Sequence, residues 1–209
     1  MYMTRVVIKR LPPPKVIHGI LSSAFPGKRN AQINETLWRI DAIGDARVMI
    51  IVSTSAPDLQ EIASQMGFQS QIPPDGEAGA ISDKTIDYQP FLSRIENRQV
   101  WNFRLCANPV EHVKQTPADK RGKVYALRSI EEQLGWLDRQ GDTHGFTVNG
   151  CSVIGDSWIA FDKVRIRSVT FDGQLTVTDA DTFRSALTQG IGRGKAFGCG
   201  LLTVARVQA

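Results

Sequence analysis

Three groups of residues in this 209-residue chain have the types and spacing to act on an anion. The first is His18, in HGILSSAFPGKR, with Lys15, Lys28 and Arg29 around it and no carboxylate close in sequence. Imidazole titrates near neutrality, so it can take a proton from one oxygen and give one to another at physiological pH. On RNA, a base would draw the proton from a 2′-hydroxyl, which attacks the adjacent phosphorus, while an acid protonates the leaving 5′-oxygen. Cations that stabilise the phosphorane charge make a metal unnecessary for that reaction. A lone histidine can equally be structural or simply exposed.

The second group is the stretch Gln189 to Val204, QGIGRGKAFGCGLLTV, with glycines at Gly190, Gly192, Gly194, Gly198 and Gly200 and the cations Arg193 and Lys195 among them. Glycine permits positive φ and close backbone approach, so such a run can bring amides to a phosphate. A Walker A loop would place Ser or Thr after the lysine, but Ala196 follows Lys195. A dinucleotide fingerprint would follow a strand and open a helix, and this loop does the reverse. A glycine turn that packs tightly, setting the C-terminal strand against the first domain, fits the same residues.

The third group is Lys163, Arg165 and Arg167, spaced by two in a predicted strand over Trp158–Phe171, with Val164, Ile166 and Val169 helping to form the other face. Three like charges on one face are unfavourable without an anion, and a nucleic-acid backbone is the natural one. A strand edge guarded by charge gives the same pattern. His112 and His144 sit in polar contexts and read as surface residues. Glu131 and Glu132 read as a solvated helix face, and no paired carboxylates have nuclease spacing.

The elements that must position these groups follow from periodicity. Residues 2–10 read as a strand and about 15–25 as a short helix, stopped by Pro26 and Gly27. Strands over Glu35–Ile40 and Ala46–Thr54 follow, then a helix from Ala56 to Met66 capped by Ser55, with Pro57 in its first turn and Gly67 at its end. A short strand at Phe68–Ile72 completes a βαββαβ order, the ferredoxin-like arrangement. Pro73 to Asn97 reads as a linker or irregular insertion.

The pattern then repeats. Val100–Ala107 alternates Trp101, Phe103 and Leu105 with polar neighbours. PADKRG, residues 117–122, reads as a polar loop. Ser129 caps a helix to Arg139 with Ile130, Leu134 and Leu137 as its apolar face. Phe146–Ile154 and Trp158–Phe171 are strands, and Asp172-Gly173 reads as a hairpin turn into Leu175–Thr178. A helix at Asp181–Gln189 and a last strand after the glycine loop close the chain. The fold class is therefore α+β: two tandem ferredoxin-like domains, 1–72 and 98–209, with an extra basic β-hairpin in the second.

A net charge of +4 favours a polyanionic partner. No run approaches a membrane span and no signal-peptide core opens the chain, which points to the cytoplasm. Cys106, Cys151 and Cys199 are odd in number and without a CxxC pair, so three reduced, mostly buried thiols are expected and no structural zinc.

His18 in HGILSSAFPGKR, NFRLCANPV, VRIRSVTFDGQLTV and QGIGRGKAFGCGLLTV together resemble the CasE family. These are CRISPR-associated endoribonucleases of type I-E systems, within the repeat-associated (RAMP) group, and the resemblance runs from Met1 to the C-terminus. It implies two ferredoxin-like domains and cleavage of precursor CRISPR RNA at the 3′ base of the repeat stem-loop. The reaction needs no metal or small-molecule cofactor and leaves a 2′,3′-cyclic (or 3′) phosphate and a 5′-hydroxyl. It also implies that the enzyme stays on its hairpin and joins the other subunits of Cascade. The family's catalytic histidine precedes a Phe-Pro pair by seven residues, the position of His18, and a tyrosine that assists in some members is replaced by Lys15. Lys15 is then a charge-stabilising or phosphate-binding group. Lys163, Arg165 and Arg167 fall where the family grips the RNA stem, with Lys28, Arg29, Arg193 and Lys195 as further backbone contacts. A non-catalytic subunit that binds the RNA hairpin is the alternative.

Overall fold

A computed structural model of the chain describes residues 1–25, 36–67, 84–114, 122–161 and 164–207. The chain divides into two compact units: Met1–Arg94 with Lys195–Gly198, and Ile95–Gly194 with Cys199–Ala209.

The first unit runs β1 (Tyr2–Ile8), α1 (Pro14–Ser23), β2 (Leu37–Ile43), β3 (Ala46–Ser53), α2 (Leu59–Met66), β4 (Lys84–Asp87) and the short α3 (Gln89–Leu92). Its sheet has the order β2-β3-β1-β4, every neighbour antiparallel. That order, with helices after β1 and β3, is the ferredoxin-like arrangement. Alternation along the strands sends Val6, Ile8, Trp38, Met49 and Ile51 to one face, where they pack with Ile17, Ile20 and Leu21 of α1 and Ile62 and Met66 of α2.

Two expectations change here. The helix α2 starts at Leu59, because Asp58 rather than Ser55 accepts the orphan amides of Gln60 and Glu61. The expected strand Phe68–Ile72 lies outside the described residues. The fourth strand of this sheet is instead β4, inside the stretch expected as a linker, which also holds α3. Being short and mostly polar, β4 gives no hydrophobic alternation to read; the Thr4–Thr85 hydroxyl contact at 3.0 Å ties it to β1.

The second unit runs β5 (Val100–Ala107), β6 (Val110–Val113), β7 (Lys123–Ala126), α4 (Ile130–His144), β8 (Phe146–Phe161), β9 (Val164–Val177), α5 (Ala180–Gln189) and β10 (Leu202–Arg206). The order β10-β5-β9-β8 repeats the ferredoxin-like plan, and β6 and β7 add an unexpected two-stranded ribbon. Trp101, Phe103 and Leu105 are buried as their alternation required. Ser129 forms a full capping box with Glu132, but Ile130 is 62% exposed, and α4 buries Gln133, Trp136, Leu137 and Gly141 instead. Cys106 and Cys199 are buried, Cys151 half-buried, and all three are free thiols.

Asp172-Gly173 is not a turn. Both residues lie within β9, opposite Ser152 and Cys151 on one side and Arg104 and Phe103 on the other. Asp172 pairs with Arg104 (Nε to Oδ2 3.0 Å), and a Cβ on Gly173 would meet the Gly150 carbonyl oxygen at 2.1 Å. Close backbone approach at a β-bulge, rather than reversal of the chain, demands the glycine. The ladder of β8 and β9 continues to the pair Phe161–Val164, so Trp158 to Phe161 belong to β8 and the cations that follow to β9.

Candidate functional site

His18 stands on α1, which Pro14 opens in its first turn and which buries Ile17, Ile20 and Leu21. The imidazole lies at the margin of that face, half-buried, while Lys15, one turn earlier on the same side, is exposed. His18 lines a small pocket with Leu21, Thr36, Trp38 and Ala196. Its lining is mostly apolar, and the half-buried His18 forms part of it.

Ala196 reaches this pocket because Lys195–Phe197 forms a single 3₁₀ turn belonging to the first unit. All five glycines of the loop adopt positive φ, from 74° at Gly190 to 93° at Gly200. Two of them are also fixed by contact. A Cβ on Gly198 would lie 2.8 Å from the Trp38 ring, and one on Gly192 would lie 3.0 Å from the Trp136 ring. The amides of Gly190, Ile191, Gly198, Cys199 and Gly200 donate to the carbonyls of Ala186, Gly200, Lys195, Gly194 and Cys106. These amides are committed to backbone, so the loop is built for packing more than as an amide cradle. Lys195 is half-buried, and burial lowers its pKa. Arg193 is exposed, bridges through its backbone to Asn108, and has Nη1 3.5 Å from His112 Nε2.

The basic ribbon of the second unit is more differentiated than its spacing indicated. Arg167 makes a two-point ion pair with Asp156 (Nε–Oδ1 2.7 Å, Nη2–Oδ2 2.5 Å) and donates to the Arg128 carbonyl. Gln133 Nε2 donates to the same carboxylate at 3.1 Å. The Arg167 hydrogen bond holds the Asp156 carboxyl below its ordinary pKa and raises that of the guanidinium in return. Arg165 is exposed and lies 5.1 Å from the centre of the Trp158 ring, with Arg167 at 5.5 Å from the same ring. Val169, expected on the opposite face, shares the face of Arg167 and is buried; Ile166 is buried on the other side.

The structure thus gathers His18, Lys15 and the 3₁₀ turn of the glycine loop in one unit, and Arg165, Arg167, Arg193 and Trp158 in the other. Lys28, Arg29 and Lys163 lie outside the described residues. Sequence reasoning missed Trp38 and Thr36 beside His18, and Asp156 and Trp158 on the ribbon. Asp156 and Trp158 alternate along β8, a signal that becomes readable only once the hairpin is placed correctly. Among the described residues, no three His, Cys, Asp or Glu side chains cluster as a metal site would require.

A family model described as CRISPR associated protein matches residues 1–206, which sets the class of this two-unit ferredoxin-like chain. The CRISPR-associated endoribonuclease Cse3 of Thermus thermophilus is 26% identical, over 98% of this chain and all of that protein. The CRISPR system Cascade subunit CasE of Escherichia coli is 33% identical over 49% of this chain and 56% of its own length. A solved structure of Cse3 bound to a 19-nucleotide RNA aligns with a TM-score of 0.73 at 25% identity, covering 98% of each chain. Within the CRISPR-associated class, the chain belongs to the CasE family.

Proposed function

We propose that this protein is a metal-independent endoribonuclease that cleaves precursor CRISPR RNA at the 3′ base of the repeat stem-loop. It remains on the mature RNA as a subunit of the Cascade complex, in the cytoplasm. End-to-end similarity to a protein named as a CRISPR-associated endoribonuclease carries the reading. No helix among the described residues is long and apolar enough to cross a membrane.

In this reading His18 is the general acid/base. Its half-buried side chain, lining a small pocket with Leu21 and Trp38, suits proton exchange with a bound RNA oxygen. The 2′-hydroxyl attacks the adjacent phosphorus and the 5′-oxygen leaves with a proton, giving a 2′,3′-cyclic phosphate and a 5′-hydroxyl. Lys15, exposed one turn before His18, supplies positive charge to the phosphorane. Lys28, Arg29, Arg193, Lys195 and the cations Lys163, Arg165 and Arg167 bind the RNA backbone. A-form RNA is recognised largely through shape and phosphates, which suits such a set.

The test is cleavage of the cognate repeat RNA in EDTA by wild type and His18→Ala, with a second substrate carrying a 2′-deoxy nucleotide at the scissile position. The expected result is cleavage by wild type alone, blocked by the deoxy substitution, with hairpin affinity kept within a few-fold in the variant. Tight binding without cleavage by either protein would instead favour a non-catalytic RNA-binding subunit.

A further inference from the structure

The indole of Trp158 is 43% exposed on the ribbon of β8 and β9, with two guanidinium groups within 6 Å of its centre. A large aromatic ring nearly half exposed, with two cations beside it, has the environment of a stacking surface. The surface is also anchored. Trp158 lies directly opposite Arg167, and Arg167 is fixed by Asp156, whose carboxylate Gln133 also holds. On the reverse face, Ile166 is buried and anchors the same strand. Arg165, by contrast, is exposed and bears on the ring without an ion-pair partner among the described residues.

We propose that Trp158, with Arg165, is a stacking platform for an unpaired nucleobase at the end of the RNA stem. This platform rests on the RNA-processing reading and on what an RNA helix presents. Along its grooves, A-form RNA offers phosphates, hydroxyls and base edges, and base faces are free only at its ends and in unpaired nucleotides. An indole flanked by cations gains little from a phosphate, and gains stacking energy from a base. The cations then hold the adjoining backbone while the ring reads where pairing stops. Trp158 is thereby a specificity-determining contact, which fixes the register of the stem relative to the site of cleavage.

The test uses the full chain and a non-cleavable 2′-deoxy repeat hairpin, with 2-aminopurine at the unpaired nucleotide next to the stem. Wild type, Trp158→Ala, Trp158→Phe and Arg165→Ala are compared by affinity and by 2-aminopurine fluorescence. The expected result is quenching by wild type and Trp158→Phe, loss of quenching with Trp158→Ala, and about tenfold weaker binding of that variant. Trimming the hairpin to a blunt stem should abolish the affinity difference between wild type and Trp158→Ala. Equal quenching by wild type and Trp158→Ala would overturn the platform. So would an affinity loss that persists on the blunt stem, because the ring would then only prop Arg165. Failure of wild type to bind any hairpin would instead overturn the RNA reading itself.

Discussion

Gly198 and Trp38 touch so closely that a single methyl group would not fit: a Cβ built on the glycine falls 2.8 Å from the indole ring, at a φ of 83°. Trp38 and Ala196, two residues before that glycine, both line the His18 pocket. The glycine loop therefore shapes the site through packing. Gly198→Ala should lower stability by at least about 1 kcal/mol, from positive φ and overpacking together. It should also slow cleavage more than it weakens RNA binding, which single-turnover kinetics beside a binding isotherm would separate.

Lys15 stands one helical turn before His18 and is exposed. Lys15→Ala should reduce the cleavage rate by about a hundredfold at saturating RNA, the low end of losing one transition-state charge contact. Lys15→Arg should restore most of it. Weaker affinity with an unchanged rate at saturating RNA would assign Lys15 to holding the phosphate alone.

Arg165 and Arg167 should behave differently despite their shared face. Arg165→Ala leaves the fold intact and should lower the slope of log affinity against log salt by about 1. Arg167→Ala strips the Asp156 carboxylate of its two-point partner. It should destabilise the protein by about 1 kcal/mol, seen as a fall in the urea midpoint.

The Asp156–Arg167 pair also predicts a pH dependence. Asp156 titrates below its ordinary value of 3.8 when folded, through its hydrogen bond to Arg167. Its stabilisation is complete above that unfolded value and is lost as pH falls through the lowered native one. The stability gap between wild type and Asp156→Asn should thus be constant from pH 7 to about 5 and shrink below about 4. Urea melts at several pH values would measure it.

A buried ion pair gives the largest expected stability effect. Arg39 and Asp41 are 3% and 9% exposed, two residues apart on β2, with both hydrogen bonds at 2.8 Å. Asp41→Ala strips the buried Arg39 guanidinium of its carboxylate and should destabilise by about 3–5 kcal/mol. Joint replacement of both residues by apolar ones of similar volume should be much milder, and thermal melts of the single and double variants would show it.

What the sequence determined by itself was whatever is written in local periodicity and residue type. Alternation placed Trp101, Phe103 and Leu105 on a buried strand face, Ser129 as a cap fixed the start of α4, and five glycines marked backbone that runs at positive φ. His18 was legible because imidazole is the side chain whose protonation changes near neutral pH. Only the tertiary structure decided the rest. A local turn signal put a reversal at Asp172-Gly173, but pairing on both sides of β9 overrides it, because ladder hydrogen bonds and the Arg104 ion pair hold the segment extended. Strand β4 had no pattern of its own and exists through pairing with β1. Arg167 looked equivalent to Arg165 until the ribbon brought Asp156 against it. Such assignments depend on which distant groups the fold makes neighbours, and residue spacing along one strand carries no record of them.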